Sequence, residues 1–112
     1  MAYDEELAHR VRELLADEDG LTEMRMFGGL AFLLDGNMSV AVSGQGGLMV
    51  RVDPDTTEDA LARPHTREFV MRGRALAGWI RVDLEGLSSK RQLSAWVRRG
   101  VAFARTLPAK QA

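Results

Sequence analysis

The chain has 112 residues, 46% of them hydrophobic, with no cysteine and a formal net charge of −1. A length of this order fits one domain with its own core. The missing cysteines exclude a disulfide framework, thiolate zinc sites and cysteine catalysis. The acidic N-terminus MAYDEELAHR has no apolar segment of the signal-peptide kind, and the longest apolar run, Leu30 to Leu34, is too short to span a bilayer. These features lead us to expect a cytoplasmic protein without membrane contact.

The small net charge conceals an asymmetry. Residues 1–62 carry thirteen acidic and four basic side chains, a net of −9, whereas residues 63–112 carry three acidic and eleven basic, a net of +8. Either the halves fold together and neutralise one another, or the basic half meets an acidic partner or a phosphate backbone. The first reading is preferred, because nucleic-acid binders usually carry an overall basic excess.

A first helix is expected from Asp4 to Asp19. Leu7, Ala8, Val11, Leu14 and Leu15 recur at helical spacing, Asp4 suits an N-cap, and Gly20 suits a stop. Four strands should follow. Thr22, Met24 and Met26 alternate with Glu23, Arg25 and Phe27, and Gly28-Gly29 interrupts. A strand from Leu30 then turns at Asp35-Gly36, a strong hairpin signal, into Met38–Val42. Beyond Gly44-Gln45-Gly46-Gly47, a loop without the Lys-Ser/Thr of a P-loop, Leu48, Val50 and Val52 form the fourth. The glycine pair reads as a tight corner anchored by Phe27, because glycine admits positive φ and close backbone approach.

Asp53 as N-cap and Pro54 at the first helical position open a short helix to Ala62. Two strands, Phe69–Met71 and Leu76–Val82, meet near Arg72-Gly73-Arg74. In the second, Leu76, Ile80 and Val82 are expected on one face and Trp79 and Arg81 on the other, with core packing as the role of Trp79. A last helix begins with a Ser89/Gln92 capping box. It carries an apolar stripe of Leu93, Trp96, Val97, Gly100, Val101, Ala104 and Leu107. Residues 106–112 are expected to fray. Residues 1–112 thus read as one α+β domain, a two-layer sandwich with a mostly antiparallel sheet and the order α-β-β-β-β-α-β-β-α.

Chemistry is sparse. His9 and His65 lack convergent partners at metal-ligand or catalytic spacing and read as surface or structural residues. Asp53-Pro54-Asp55-Thr56-Thr57 matches the D-x-D-x-T of haloacid-dehalogenase-type phosphatases, in which the first carboxylate attacks phosphorus with magnesium present. Such enzymes need a larger parallel core, so helix capping is the preferred reading of Asp53. No catalytic residue, cofactor or metal site is expected. The remaining candidates for a partner or a phosphate are Arg72 and Arg74 on a turn and Arg91, Arg98 and Arg105 at seven-residue spacing on the last helix.

With these elements placed, RMFGGLAFLLDGNMSVAV, LMVRVD, FVMRGRALAGWIRVD and LSAWVRRGVAFA together resemble the N-terminal domain of the TfoX/Sxy family, regulators linked to bacterial competence. Met26, Phe27, Gly28, Gly29, Asp35 and Gly36 carry the most specific part of the likeness. Met38-Ser39 departs from the aromatic more often found after that methionine, and the chain is expected to correspond to the first domain of the longer regulators alone. The resemblance implies a secretion-chaperone-like α+β fold, frequent dimerisation, no enzymatic activity and no cofactor. It implies a regulatory role through protein contacts, with the chain itself as one candidate partner. A nucleic-acid accessory role for the arginines is the alternative.

Overall fold

The structure, a computed structural model, describes residues 3–26 and 28–110. Six strands form one antiparallel sheet: β1 (Leu21–Met26), β2 (Gly29–Leu34), β3 (Asn37–Val42), β4 (Leu48–Arg51), β5 (Thr66–Met71) and β6 (Arg74–Val82), in the order β1-β2-β3-β4-β6-β5. Three α-helices accompany it, α1 (Glu5–Leu15), α2 (Thr57–Leu61) and α3 (Lys90–Ala104). The class and element order are those expected from the sequence.

The strands pair so that one face of the sheet is a continuous apolar layer. Phe32, Val40, Val50 and Ile80 lie opposite one another across four strands, and Leu30, Val42, Leu48 and Val82 form the next row. All eight are buried, and they pack with Leu7, Val11 and Leu15 of α1, Ala60 of α2 and Leu93, Trp96 and Val97 of α3. Both layers therefore bury their apolar surface on this side.

Local chemistry sets the turns and caps. The β2–β3 turn has positive φ at Asp35 (51°) and Gly36 (85°), and the β5–β6 turn at Arg72 (53°) and Gly73 (77°). These are two-residue hairpin turns whose twist matches the strands. Ser89 Oγ accepts from the Gln92 N–H while Gln92 Oε1 accepts from the Ser89 N–H, completing the capping box of α3. Asp4 Oδ1 caps α1 through the Leu7 N–H. The helix stops at Leu15, four residues earlier than expected, because Asp17, Glu18 and Asp19 would crowd carboxylates at the negative end of its dipole.

One further difference has a physical cause. Leu76 does not share the helix-facing side with Ile80 and Val82. Gly78 (φ 89°) breaks the alternation, and the β5–β6 register shifts between Glu68 and Val70. The segment from 106 to Lys110 lies against the β2–β3 hairpin. The Lys110 N–H donates to the Asp35 carbonyl at 2.8 Å, and Asn37 Nδ2 donates to the Pro108 carbonyl at 2.9 Å. Phe27, expected to anchor the corner, lies outside the described residues.

The Gly78 kink is held by a buried contact: its N–H donates to Thr57 Oγ1 at 2.8 Å, and that hydroxyl donates to the Asp53 carbonyl at 3.2 Å. Thr57→Val leaves the Gly78 N–H buried without an acceptor. It should lower stability by about 1–3 kcal/mol in urea titration, a larger loss than Thr56→Val on the exposed side.

Arg12 and Glu23 join α1 to β1 through paired hydrogen bonds of 2.6 and 2.9 Å. The hydrogen bonds from Arg12 hold the Glu23 carboxyl below its ordinary range. A depressed folded-state value means the stabilisation is complete above the unfolded value. It is lost as pH falls through the folded one, in a window below about pH 4.3. Glu23→Gln should therefore flatten the acid limb of the stability–pH curve and change its neutral region least in shape.

Candidate functional site

The helices cover one face of the sheet and leave the other open. On the open face the pleat sets Met24, Ala31, Ala41, Met49, Arg81 and Arg67 in one row across all six strands. Leu33 pairs with Met38, and Arg51 with Trp79, in the neighbouring row. Because β2, β3 and β4 are apolar on both sides, the sheet presents a second hydrophobic surface with no helix over it.

This face contains a groove of about 410 Å³. Met26, Met38 and Met49 line it from the sheet, and Phe69, Met71 and Leu76 from the β5–β6 hairpin. That hairpin runs beyond the end of β4, and the Gly78 kink brings Leu76 into the groove instead of the core. Val70 and Met71 near its tip are 56% and 38% exposed. Methionine side chains are flexible and polarisable, and suit a surface that adapts to what it meets. Contiguous exposed apolar patches of this kind are uncommon on small monomeric domains.

Trp79, expected in the core, lies half-buried on the groove wall. The Arg51 guanidinium sits 5.1 Å from its ring centroid and 5.5 Å from that of Phe103, so one cation joins β6 to α3. Phe69 and Trp79 are tilted neighbours with centroids 6.4 Å apart. Arg81 is held at the rim by Gln45 Oε1 (3.1 Å) and the Gly46 carbonyl (3.4 Å). Among the described residues, the charged side chains in the rows of this face are Arg51, Arg67 and Arg81, with no carboxylate beside them except Asp83, which pairs with Arg67 from the strand end at 3.1 Å.

The arginines singled out in the sequence do not gather into one surface. Arg72 and Arg74 are exposed at the β5–β6 turn, close in sequence to the groove-lining Met71 and Leu76. Arg91 and Arg98 are exposed on α3. Arg105 is committed to the fold: it bridges Glu18 (2.9 Å) and Asp35 (3.1 Å) and donates to the Asp19 carbonyl (2.8 Å), tying the end of α3 to the two turns that flank β1 and β2. Arg99 is tied to Asp59 at 3.2 Å. The seven-residue spacing thus contains one structural tether and, among the described residues, two cations outside any ion pair.

The signature residues divide likewise. Asp35 and Gly36 form the hairpin turn. Gly28 has φ 76°, and a Cβ on Gly29 would run into the Val42 carbonyl oxygen. Among the described residues of the signature, Met26 lines the groove through its side chain and Gly29 through its backbone. Asp53 Oδ1 accepts from the Asp55 N–H at 2.8 Å as an N-cap, and both carboxylates are exposed. Among the described residues no three His, Asp or Glu side chains converge on a point that could hold a metal ion, and no helix is long and apolar enough to cross a membrane.

The sequence signal for the groove was present but ambiguous. Met24, Met26, Met38 and Met49 occupy alternate strand positions, and nothing local tells which side of a two-sided apolar strand the helices cover. A search of curated proteins returns no match to this chain. The family comparison matches residues 13–104, which take in the end of α1, the whole sheet with its open groove, and α3: the chain belongs to the TfoX N-terminal domain family.

Proposed function

We propose that this domain is a regulatory protein-interaction module of the cytoplasm, without a catalytic step, that docks an apolar segment of a partner protein on the open face of its sheet. The observation that carries the reading is the helix-free, methionine-lined groove between the sheet and the β5–β6 hairpin. The segment it fits has apolar anchors flanked by acidic residues. Methionine and aromatic walls take the anchors, while Arg51, Arg67 and Arg81 on the face and Arg72 and Arg74 at the hairpin turn attract the flanks.

Charge also selects against the simplest self-association. Two copies joined through this face would bring two surfaces together whose charged side chains are Arg51, Arg67 and Arg81, with no matching acidic row among the described residues to meet them. A homodimer, if formed, uses another surface under this reading. The test is a pair of fluorescent peptides with one apolar core, flanked by aspartates in one and lysines in the other. Anisotropy at low salt should favour the acidic peptide by at least about tenfold. Equal binding, or a preference for the lysine peptide, would overturn the assignment.

A further inference from the structure

A second concavity lies on the other side of the molecule, between α3 and the segment after α2. Its volume is about 370 Å³, of the size that takes a small molecule. Its polar walls are Arg63, His65, Arg91, Gln92 and Arg99, without a carboxylate, and Pro64 and Trp96 give it an apolar side.

The cations differ in what they already hold. Arg99 is neutralised by Asp59 (3.2 Å) and lies 5.8 Å from the Trp96 ring centroid, which fixes the wall of the cleft. Arg63 and Arg91 are exposed and form no ion pair among the described residues. Gln92 has given its Oε1 to Ser88 and Ser89, and its NH₂ has no partner among the described residues. His65 is a non-glycine residue in the left-handed region (φ 64°). Its carbonyl is held by the Asp83 N–H at 2.8 Å, and Gly86 makes room for it, since a Cβ there would come within 2.9 Å of the His65 Cβ. A backbone outlier fixed from both sides, beside unpaired donors, is where a ligand is met.

We propose that this cleft binds a small phosphate monoester. Two uncompensated guanidiniums balance the charge of about −1.5 to −2 that such a group carries at neutral pH, and their planar forks match its oxygens. Arg63 and Arg91 hold the phosphate, the Gln92 NH₂ adds a donor, and the organic group lies against Pro64 and Trp96. At the start of α3 the capping box already occupies the Ser89 and Gln92 amides.

The experiment is a nitrogen–proton NMR titration at constant ionic strength with two probes, phenyl phosphate and inorganic phosphate. Saturable shifts should appear at Arg63, His65 and residues 91–96, with phenyl phosphate binding severalfold tighter. Arg63→Gln and Arg91→Gln should each weaken binding about tenfold, whereas Arg98→Gln, on the same helix outside the cleft, should not. No saturation at millimolar phenyl phosphate, or equal weakening by Arg98→Gln, would overturn the proposal. A phosphoserine peptide that binds where phenyl phosphate does not would also overturn it, in favour of a macromolecular ligand.

Discussion

Replacing Gly29 by alanine is expected to destabilise the domain by about 2–3 kcal/mol, the upper part of the range for forcing atoms into packed structure. The new Cβ meets the Val42 carbonyl oxygen and approaches the Gly44 amide, both backbone atoms that no rotamer change can move. Strands β2 and β3 would have to separate at the corner that opens the groove. Gly28→Ala is different in kind. Its Cβ would meet no atom within 4 Å among the described residues beyond its chain neighbours, so the cost is that of a left-handed alanine, about 1 kcal/mol. Against a total stability of about 5–15 kcal/mol for a domain of this size, the two are separable by urea denaturation. Equal losses would mean that the close approach at Gly29 does not exist.

Met49→Asp is expected to weaken docking of an acidic-flanked segment by at least about a hundredfold, because a carboxylate in the middle of the groove must be desolvated and faces acidic flanks. Met49 sits at the centre of the open face, between Ala41 and Arg81. The side chain is only half-buried and lies away from the helix-covered layer, so folding stability should fall by no more than about 1 kcal/mol. The dissociation between the two readouts is the informative part. A loss of binding matched by general unfolding would assign Met49 to the core, and unchanged binding would place the docking site elsewhere.

Much of the fold was legible because its signals are local. Asp35-Gly36 specifies its hairpin, Ser89 and Gln92 specify the start of α3, and the short apolar runs of β2, β3 and β4 between turn residues specify strands. What escaped depends on partners distant in sequence. Arg105 has the look of a solvated helix cation, yet its carboxylates are Glu18 and Asp35, 87 and 70 residues away. Leu76 fits the alternation of β6 until Gly78 adopts positive φ, a conformation stabilised by Thr57, 21 residues upstream. Trp79 sits beside Ile80 in sequence but on the opposite face, and which face is covered is settled by the helices and not by the strand. The charge asymmetry was likewise legible only in outline. Arg99–Asp59 and Arg105 with Glu18 and Asp35 join the basic half to the acidic half and absorb part of it, and among the described residues Arg63, Arg91 and Arg98 form no ion pair.

The most direct measurement follows the methionine methyl groups by carbon–proton NMR while the aspartate-flanked peptide is added. Docking in the groove predicts that the Met26, Met38, Met49 and Met71 methyls shift together and saturate at one peptide per chain, with the backbone amides of α3 unmoved. Shifts confined to α3 and the segment after α2, with the four methyls unchanged, would contradict the account.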